Sequence, residues 1–417
     1  MSSAGDAVLA RLDGAAEEAA RELSALVCIN TVNPYAAGGG PGERAGQEHL
    51  AGLLEKIGGR ISFLEVPGDI YAWAGVLGPP DRDWTGRPNL LAEFTFGAGR
   101  GASVLLDGHM DTVGVAGYEG DPFGGEIDGD LVRGRGASDC KGGLTAALIA
   151  LRALRETAPG ALDGRVTLAS VVDEECSGGG AGTLACCRAG VPADHAILVD
   201  GAANSISLGC QGVFTGRVEV RGAGGHAAGG GERGGPLEAI LAAKRAVDRF
   251  AALRAERVPT SAINVGLLTA GTAPWNAPAA GALEFNGTYL PEEEGAEVRA
   301  LFERMLAEAV ETEPALHAHP PRLTWLKDIY GYRLKGRPAV LDAAERAFAR
   351  VHGEVRTLEK RAWDDAAHLS RKLGAPVMGL GGGGGGGIHG PSEYNEVSAV
   401  VGAAKTIALT VAELLGA

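Results

Sequence analysis

Five short segments of the sequence place acidic or imidazole side chains where an apolar, strand-like run ends. They are LLDGHMDTV with His109 and Asp111, GRGASDCKGG with Asp139, VVDEECSGGG with Glu174 and Glu175, ILVDGAAN with Asp200, and GGIHGPSEYNEV with His389. Any one of these residues could be a helix cap or a solvated loop charge. Because functional groups gather where parallel strands end, the five segments together predict one cleft lined by carboxylates and imidazoles.

Carboxylates that converge in a cleft require counter-ions, because each buried charge costs several kcal/mol and like charges repel each other. Histidine and carboxylate ligands without a set of cysteines suit zinc, with cobalt or manganese as possible substitutes. Asp139, Glu175 and Asp200 bring three negative charges beside neutral His109 and His389. Two divalent ions and one bridging hydroxide would complete the charge balance, so the pattern predicts a site for two Zn²⁺ ions.

Two pairs of close neighbours suggest how the chemistry is divided. His109 and Asp111 face the same side of an extended segment, either as independent groups or with the carboxylate orienting the imidazole. Glu174 and Glu175 are adjacent, so their side chains diverge, and one can bind metal while the other acts as a general base. An exposed acidic pair is the alternative, which the preceding apolar run RVTLASVV disfavours.

Composition limits the class of protein. A chain of 417 residues predicts two domains, and a formal net charge of −14 argues against a nucleic-acid partner. The start of the sequence has no basic segment followed by an apolar one, and no run of about 18 uncharged apolar residues follows, which predicts a cytoplasmic protein outside the membrane. Six cysteines without a C-x-x-C pair predict no disulfide framework.

The elements that must position these groups alternate in type. Helical spacing over residues 6–27 and 46–57 is followed by the strand-like runs NLLAEFTF, ASVLLDGH, RVTLASVV and HAILVD, which predict an α/β fold with a mostly parallel central sheet flanked by helices. From about Gly212 a β-α-β-β-α order, closed by PRLTWL, predicts a small α+β layer. We therefore predict a catalytic domain in two parts, 1–210 and 328–417, with an inserted domain at 211–327.

In order and over most of the chain, the five segments resemble the motifs of the di-zinc deacylase and exopeptidase family that includes aminoacylase, acetylornithine deacetylase, succinyl-diaminopimelate desuccinylase and glutamate carboxypeptidase. The resemblance implies a zinc exopeptidase-like fold. It also implies that His109 and Asp200 hold one zinc, that Glu175 and His389 hold the other, and that Asp139 bridges both.

The same resemblance assigns further roles. It implies that Asp111 orients the His109 imidazole, that Glu174 is the general base, and that the peptide bond between Asp139 and Cys140 is cis. The inserted layer resembles the family's lid, which commonly also forms the dimer contact, so the resemblance implies a homodimer joined through this layer.

Two lid segments carry expected substrate contacts. RGAGGHAAGG resembles the segment whose histidine, here His226, reaches the partner's active site and polarises the scissile carbonyl. A glycine-flanked surface histidine is the alternative. TAGTAPWNAP resembles the segment whose asparagine, here Asn276, contacts substrate.

Three features depart from the family pattern. No arginine lies between Glu284 and Glu294, where many members carry one for a substrate carboxylate, so recognition by a bidentate fork is in doubt. WDDA at Trp363–Ala366 replaces a more frequent Thr-Asp-Ala. The glycine run Gly381–Gly387 is longer than usual and predicts a looser loop before His389.

The resulting hypothesis is a zinc-dependent amidohydrolase that cleaves an N-acyl or terminal peptide bond of a small, amino-acid-like substrate. The sequence does not separate deacylase from dipeptidase or carboxypeptidase activity. One alternative is a non-catalytic protein that keeps the fold and binds metal or ligand. Another is a nucleotide-dependent enzyme that uses the glycine run, which is disfavoured because no helix opens after the run and no G-x-x-x-x-G-K-[ST] motif is present.

Overall fold

The computed structural model of the protein describes residues 3–158, 160–228 and 235–416, so Gly229 and Gly230 of the segment RGAGGHAAGG lie outside the described residues. The helices are α1 (Ser3–Asp13), α2 (Ala16–Val27), α3 (Arg44–Lys56), α4 (Ile70–Ala74), α5 (Gly142–Thr157), α6 (Ala181–Ala189), α7 (Gly235–Arg257), α8 (Gly295–Thr312), α9 (Pro314–Ala318), α10 (Ala339–His352), α11 (Ala366–His368) and α12 (Val397–Leu414). Two wide turns, Ala137–Lys141 and Leu369–Leu373, precede α5 and follow α11.

The strands are β1 (Arg60–Leu64), β2 (Asn89–Phe96), β3 (Ser103–His109), β4 (Ile127–Asp128), β5 (Leu131–Arg133), β6 (Gly164–Val171), β7 (His195–Leu198), β8 (Ile206–Cys210), β9 (Gly212–Arg221), β10 (Gly225–His226), β11 (Ile263–Ala270), β12 (Asn276–Ala277), β13 (Ala280–Tyr289), β14 (Arg322–Ile329), β15 (Tyr332–Arg333), β16 (Thr357–Lys360), β17 (Val377–Gly379) and β18 (Tyr394–Glu396).

The helical spacing over residues 6–27 belongs to two helices rather than one. α1 ends at Asp13 and α2 begins at Ala16, with Gly14 between them. Glycine is a poor residue inside a helix because it loses the most backbone freedom on ordering. Leu12 and Leu23 are nevertheless both buried in the same apolar cluster, so both helices pack their apolar faces against one core.

Within the described residues, the larger sheet has nine strands in the order β1-β2-β6-β3-β7-β17-β8-β15, with β16 paired to β8. Its central strands β6, β3, β7 and β17 are parallel, which confirms the predicted α/β fold. Toward the edges of the sheet, β1, β2, β8 and β15 form antiparallel pairs. The carboxyl ends of the four central strands meet along one edge of the sheet.

Helices cover both faces of this sheet, as a buried parallel sheet requires. Leu105 and Leu106 are neighbours in β3 but pack in different apolar clusters, because successive strand residues point to opposite faces. One face packs against α1, α2, α5 and α12, and the other against α6 and α11. By length and composition α12 could cross a membrane, but 67% of it is buried inside the protein. All six cysteines are unpaired.

A second sheet, of order β11-β13-β9-β14, forms the inserted layer with α7 and α8. Its core is aromatic: Phe214, Phe285 and Phe302 pack together with ring centroids 4.8 to 6.2 Å apart in successive pairs. The predicted β-α-β-β-α order is present, with the short strands β10 and β12 added as a separate pair. β14 runs from Arg322 to Ile329 and therefore crosses the predicted limit at residue 327. The limits of the two domains stay a prediction.

Candidate metal centre and its cleft

Asp139 lies at the centre of the predicted ligands. His109 ends β3, and its Nε2 lies 3.0 Å from Asp139 Oδ1. His389, in the loop after β17, places its Nε2 3.3 Å from Asp139 Oδ2 and 2.9 Å from Glu175 Oε1. The two oxygens of one carboxylate thus face two imidazoles. The peptide bond between Asp139 and Cys140 is cis, as the resemblance implies.

Asp200 completes the set on the side of His109. One donor atom each from His109, Cys140 and Asp200 lies within 4.8 Å of the other two, and the same holds for His109, Asp139 and Glu175. Burial raises the pKa of the Cys140 thiol well above its ordinary value, which disfavours the thiolate form that binds metal. The structure therefore brings together all five predicted ligand side chains, while their assignment to two separate ions stays a prediction.

The donor set fits divalent metal ions. Atoms bound at about 2.0 to 2.1 Å in a tetrahedral site lie roughly 3.3 Å from one another, close to the separations found here. Burial alone would raise the pKa of Asp139, but hydrogen bonds with His109 and His389 hold it well below its ordinary value. Contacts with Asp139 and Glu175 raise the pKa of His389 to about 10. A cation is therefore favoured between these groups, and a metal ion would replace the imidazole protons.

We expect active protein to contain about two divalent ions per chain, bound through His109, Asp139, Glu175, Asp200 and His389. Substituting Asp139→Asn (D139N) should lower the metal content most, because this carboxylate contacts both imidazoles. Elemental analysis of purified protein would measure the stoichiometry. D13N is the matched control, since Asp13 is exposed and pairs with Lys405 away from the cleft. Active protein that contains no metal would contradict the prediction.

Asp111 holds the main chain of the acidic pair. Its Oδ2 accepts hydrogen bonds from the Asn33 side chain at 2.8 Å and from the Glu175 main-chain N–H at 3.0 Å, and its Oδ1 accepts one from Glu174 at 3.3 Å. His109 Nδ1 lies 2.9 Å from the main-chain oxygen of Asp111 but 3.7 Å from its carboxylate. The main-chain contact thus orients the imidazole here, and a role of the carboxylate toward His109 stays a prediction.

A buried polar network behind this loop was missed at the sequence level. Asp173 has a positive φ of 67°, and its carboxylate accepts a hydrogen bond from the Tyr71 hydroxyl at 2.9 Å. Arg82 Nη1 lies 3.4 Å from the same carboxylate, and Asn33 is within 3.5 Å. The segments NTVNPY, IYAWAG and PDRDW that supply these partners carry no ligand pattern, so nothing local in the sequence marks them.

Glu174 lines a cleft of about 640 Å³ together with the ligands Asp139, Glu175, Asp200 and His389. Within the described residues, no hydrogen bond or ion pair reaches the Glu174 carboxylate. Burial raises the pKa of Glu174 well above its ordinary value, although the nearby His109 opposes the shift. A carboxylate with a raised pKa and no partner can accept and return a proton.

Two lysines also line the cleft, and neither was anticipated. Lys360 Nζ lies 3.0 Å from Asp200 Oδ2 and 2.9 Å from Asp364 Oδ2, which accounts for the first aspartate of WDDA. The second, Asp365, accepts a hydrogen bond from Thr183 at 2.9 Å. Lys327 reaches the cleft from β14 of the inserted layer. A lysine directly after the apolar pair Trp325 and Leu326 is the sequence signal for Lys327.

The glycine run before His389 is packed, contrary to the looser loop expected. A Cβ on Gly381 would lie 2.0 Å from the main-chain oxygen of Gly201, and one on Gly385 would lie 1.8 Å from that of Tyr394. Gly387 has a φ of +68°, which disfavours a side chain. Close approach of neighbouring main chain therefore explains why these positions are glycine.

His226 and Asn276 lie together but away from the ligands. They are paired across β10 and β12, are both exposed, and line a separate cleft of about 780 Å³ in the inserted layer. None of the five predicted ligands lines this second cleft. His226 Nδ1 accepts the Ala228 N–H at 3.2 Å, which leaves Nε2 as the ring's hydrogen-bond donor when the imidazole is neutral. Their predicted contact with substrate stays a prediction.

The sequence of this chain is similar to those of known proteins. The family model described as peptidase family M20/M25/M40 matches residues 105–413. N-formyl-4-amino-5-aminomethyl-2-methylpyrimidine deformylase of Halalkalibacterium halodurans is 25% identical over 96% of this chain and 95% of its own length. The Bacillus subtilis enzyme of the same name is 34% identical, but over only 42% of this chain and 37% of its own length. Succinyl-diaminopimelate desuccinylase of Methylobacterium sp. (strain 4-46) is 30% identical over 65% of this chain and 68% of its own length.

Solved structures share the fold at low sequence identity. Human carnosine dipeptidase 1 superposes with a TM-score of 0.78 at 16% identity, over 99% of both chains. The dipeptidase Dug1p from Saccharomyces cerevisiae superposes with a TM-score of 0.79 at 16% identity, over 100% of both chains. At this level of identity the superpositions establish the fold alone.

Proposed function

This chain belongs to peptidase family M20/M25/M40, a family of metal-dependent hydrolases that act on amide bonds, and from that premise we propose a zinc-dependent amidohydrolase with Glu174 as its general base. Its substrate would be a small, amino-acid-like molecule that carries an N-acyl group or a terminal peptide bond. The relatives named as deformylase and desuccinylase favour removal of an acyl group.

One observation carries the proposal: Glu174, a carboxylate without a partner among the described residues, shares a cleft with the converged set of imidazoles and carboxylates. When bound, divalent ions would polarise the substrate carbonyl and make a water molecule more acidic. Glu174 would take the proton of the attacking water and deliver it to the leaving amine. Asp111 would keep Glu174 in place through the main-chain hydrogen bonds it accepts from the acidic pair.

We further propose that the protein is a homodimer joined through the inserted layer. β11 is an edge strand of the second sheet and exposes Leu267 and Leu268, while α7 exposes Leu237 and Leu241. An open edge strand beside exposed leucines favours pairing with a second copy of the chain. Without such a copy, the unpaired main-chain groups of the strand and the leucine side chains would face water. Such a pair would bring His226 of one subunit toward the other subunit's cleft.

A substrate panel tests the proposed reaction. N-formyl, N-acetyl and N-succinyl amino acids and simple dipeptides should be assayed with added Zn²⁺ or Co²⁺ by release of free amine. We expect hydrolysis of at least one acyl class, loss of activity on chelation and recovery on adding Zn²⁺, because the cleft holds the ligands and the base together. If metal-loaded protein cleaves none of them, the amidohydrolase proposal should be abandoned.

The second candidate function is a non-catalytic protein that retains the fold and binds metal or ligand. Retention of Glu174 beside all five predicted ligands disfavours it, because a binding protein needs no free base in the cleft. Thermal stabilisation by amide compounds without any turnover would support this alternative. A cytoplasmic location and the absence of nucleic-acid and membrane partners remain proposals.

A further inference from the structure

Lys327 is buried with few hydrogen-bond partners for its ammonium group. Its side chain extends from β14 into the main cleft, and Lys327 is 7% exposed. Among the described residues, its Nζ has one hydrogen-bond acceptor, the Gly178 main-chain oxygen at 3.1 Å, and no ion pair. An ammonium group has three donors, so two of them lack a protein partner.

Two other embedded lysines have more hydrogen-bond acceptors than Lys327. Lys141 donates to two main-chain oxygens, at 2.9 and 3.0 Å, close to the end of α2. Lys360 lies within 3.0 Å of two carboxylates. Lys327 has fewer acceptors than either of them, although it faces the cleft in which substrate is proposed to bind.

Apart from the predicted metal ligand His389, few basic side chains of the described residues line the cleft. Lys327 and Lys360 are the two lysines among its lining residues in the described part of the chain, and Lys360 already pairs with the carboxylates of Asp200 and Asp364. β13 contributes the neutral Asn286 to the lining, in the stretch where the sequence lacks an arginine. Lys327 and Asn286 therefore form the polar wall that the inserted layer presents to substrate.

We propose that Lys327 determines specificity by binding a carboxylate of the substrate, which restricts the enzyme to acyl amino acids or acyl groups that carry a negative charge. This inference rests on the proposed function and names its substrate class. A carboxylate would accept hydrogen bonds from the two ammonium donors that lack a protein partner, whereas a neutral amide would offer them no anionic acceptor.

The electrostatics are consistent with this role. Burial lowers the pKa of Lys327 to about 8, although the carboxylates of Glu174, Asp173 and Glu175 oppose the shift. The ammonium form thus predominates at neutral pH and can attract an anion. Lys327 also holds the Gly178 carbonyl in the loop after the acidic pair, so a purely structural role is the competing explanation.

Matched acid and amide substrates separate the two roles. N-formyl-, N-acetyl- and N-succinyl-L-alanine should be compared with their L-alaninamide counterparts, in wild-type protein and in K327M and K327R. We expect K327M to lower kcat/KM for the preferred carboxylate substrate roughly 10-fold to 100-fold, mainly by raising KM. The kcat/KM for the matched substrate that lacks this carboxylate should change little. K327R should recover part of the preference. K335M, at an exposed lysine outside the cleft, is the control.

An equal loss for acid and amide substrates in K327M would assign Lys327 a structural role and overturn the inference, as would unchanged selectivity. A binding measurement keeps the test independent of turnover. Sodium succinate should raise the Tm of metal-loaded wild-type protein more than succinamide does, and K327M should lose the difference. If no substrate is cleaved, the proposed function fails, and this shift in Tm alone decides whether Lys327 binds carboxylates.

Discussion

Replacing Glu174 with glutamine (E174Q) is expected to lower kcat by roughly 10²-fold to 10⁴-fold while leaving the metal content unchanged. The amide has nearly the volume of the carboxylate but cannot accept the proton of the attacking water. The fold should tolerate the change, because no described residue depends on this side chain for a hydrogen bond or an ion pair. Removing a carboxylate with a raised pKa also removes a charge that burial disfavours.

The measurement pairs steady-state kinetics with elemental analysis of the same preparations. E311Q is a matched control, since Glu311 is an exposed glutamate on α8, outside the residues that line the cleft. E175Q provides the contrast within the pair, because Glu175 contacts His389 and its substitution should lower metal content as well as activity. Full activity in metal-loaded E174Q would mean that another group is the base.

Replacing His226 with alanine (H226A) is expected to retain fold and metal but to lower turnover roughly 10²-fold to 10³-fold. The expected loss is that of an oxyanion donor, since the Ala228 contact leaves His226 Nε2 free to donate. The side chain is exposed and contacts none of the predicted ligands in its own chain. A large loss would therefore indicate that His226 acts in another subunit's cleft.

Mixing two inactive variants tests that geometry directly. In a heterodimer of E174Q and H226A, one site combines an intact Glu174 with the partner's intact His226, and the other site lacks both. Equal mixing with free exchange of subunits should restore about a quarter of wild-type activity. The double variant E174Q/H226A mixed with H226A is the control, since no site in it is complete. If subunits exchange and no activity returns, action across the interface is excluded.

Short-range patterns were sufficient to predict the strands that carry the candidate site. The apolar runs ASVLLDGH, RVTLASVV and HAILVD correspond to β3, β6 and β7, and His109, Glu175 and Asp200 lie at or just beyond their ends. A run of β-prone residues forms a strand from information within a few positions. The central parallel order then brings these ends together, which is why charges distant in sequence could be predicted to share one cleft.

Tertiary structure alone decided which polar groups meet there. Asp111 is near His109 in sequence, yet its carboxylate binds the main chain of a loop more than sixty residues away. Lys327 enters the cleft from another sheet, and the tightness of the glycine run depends on main chain from distant segments. Such contacts depend on how layers pack and which side chains face one another. Sequence periodicity specifies the face of each element but not its partner. The amino-acid pattern therefore predicted which imidazoles and carboxylates would converge, and only the folded chain revealed the lysines around them.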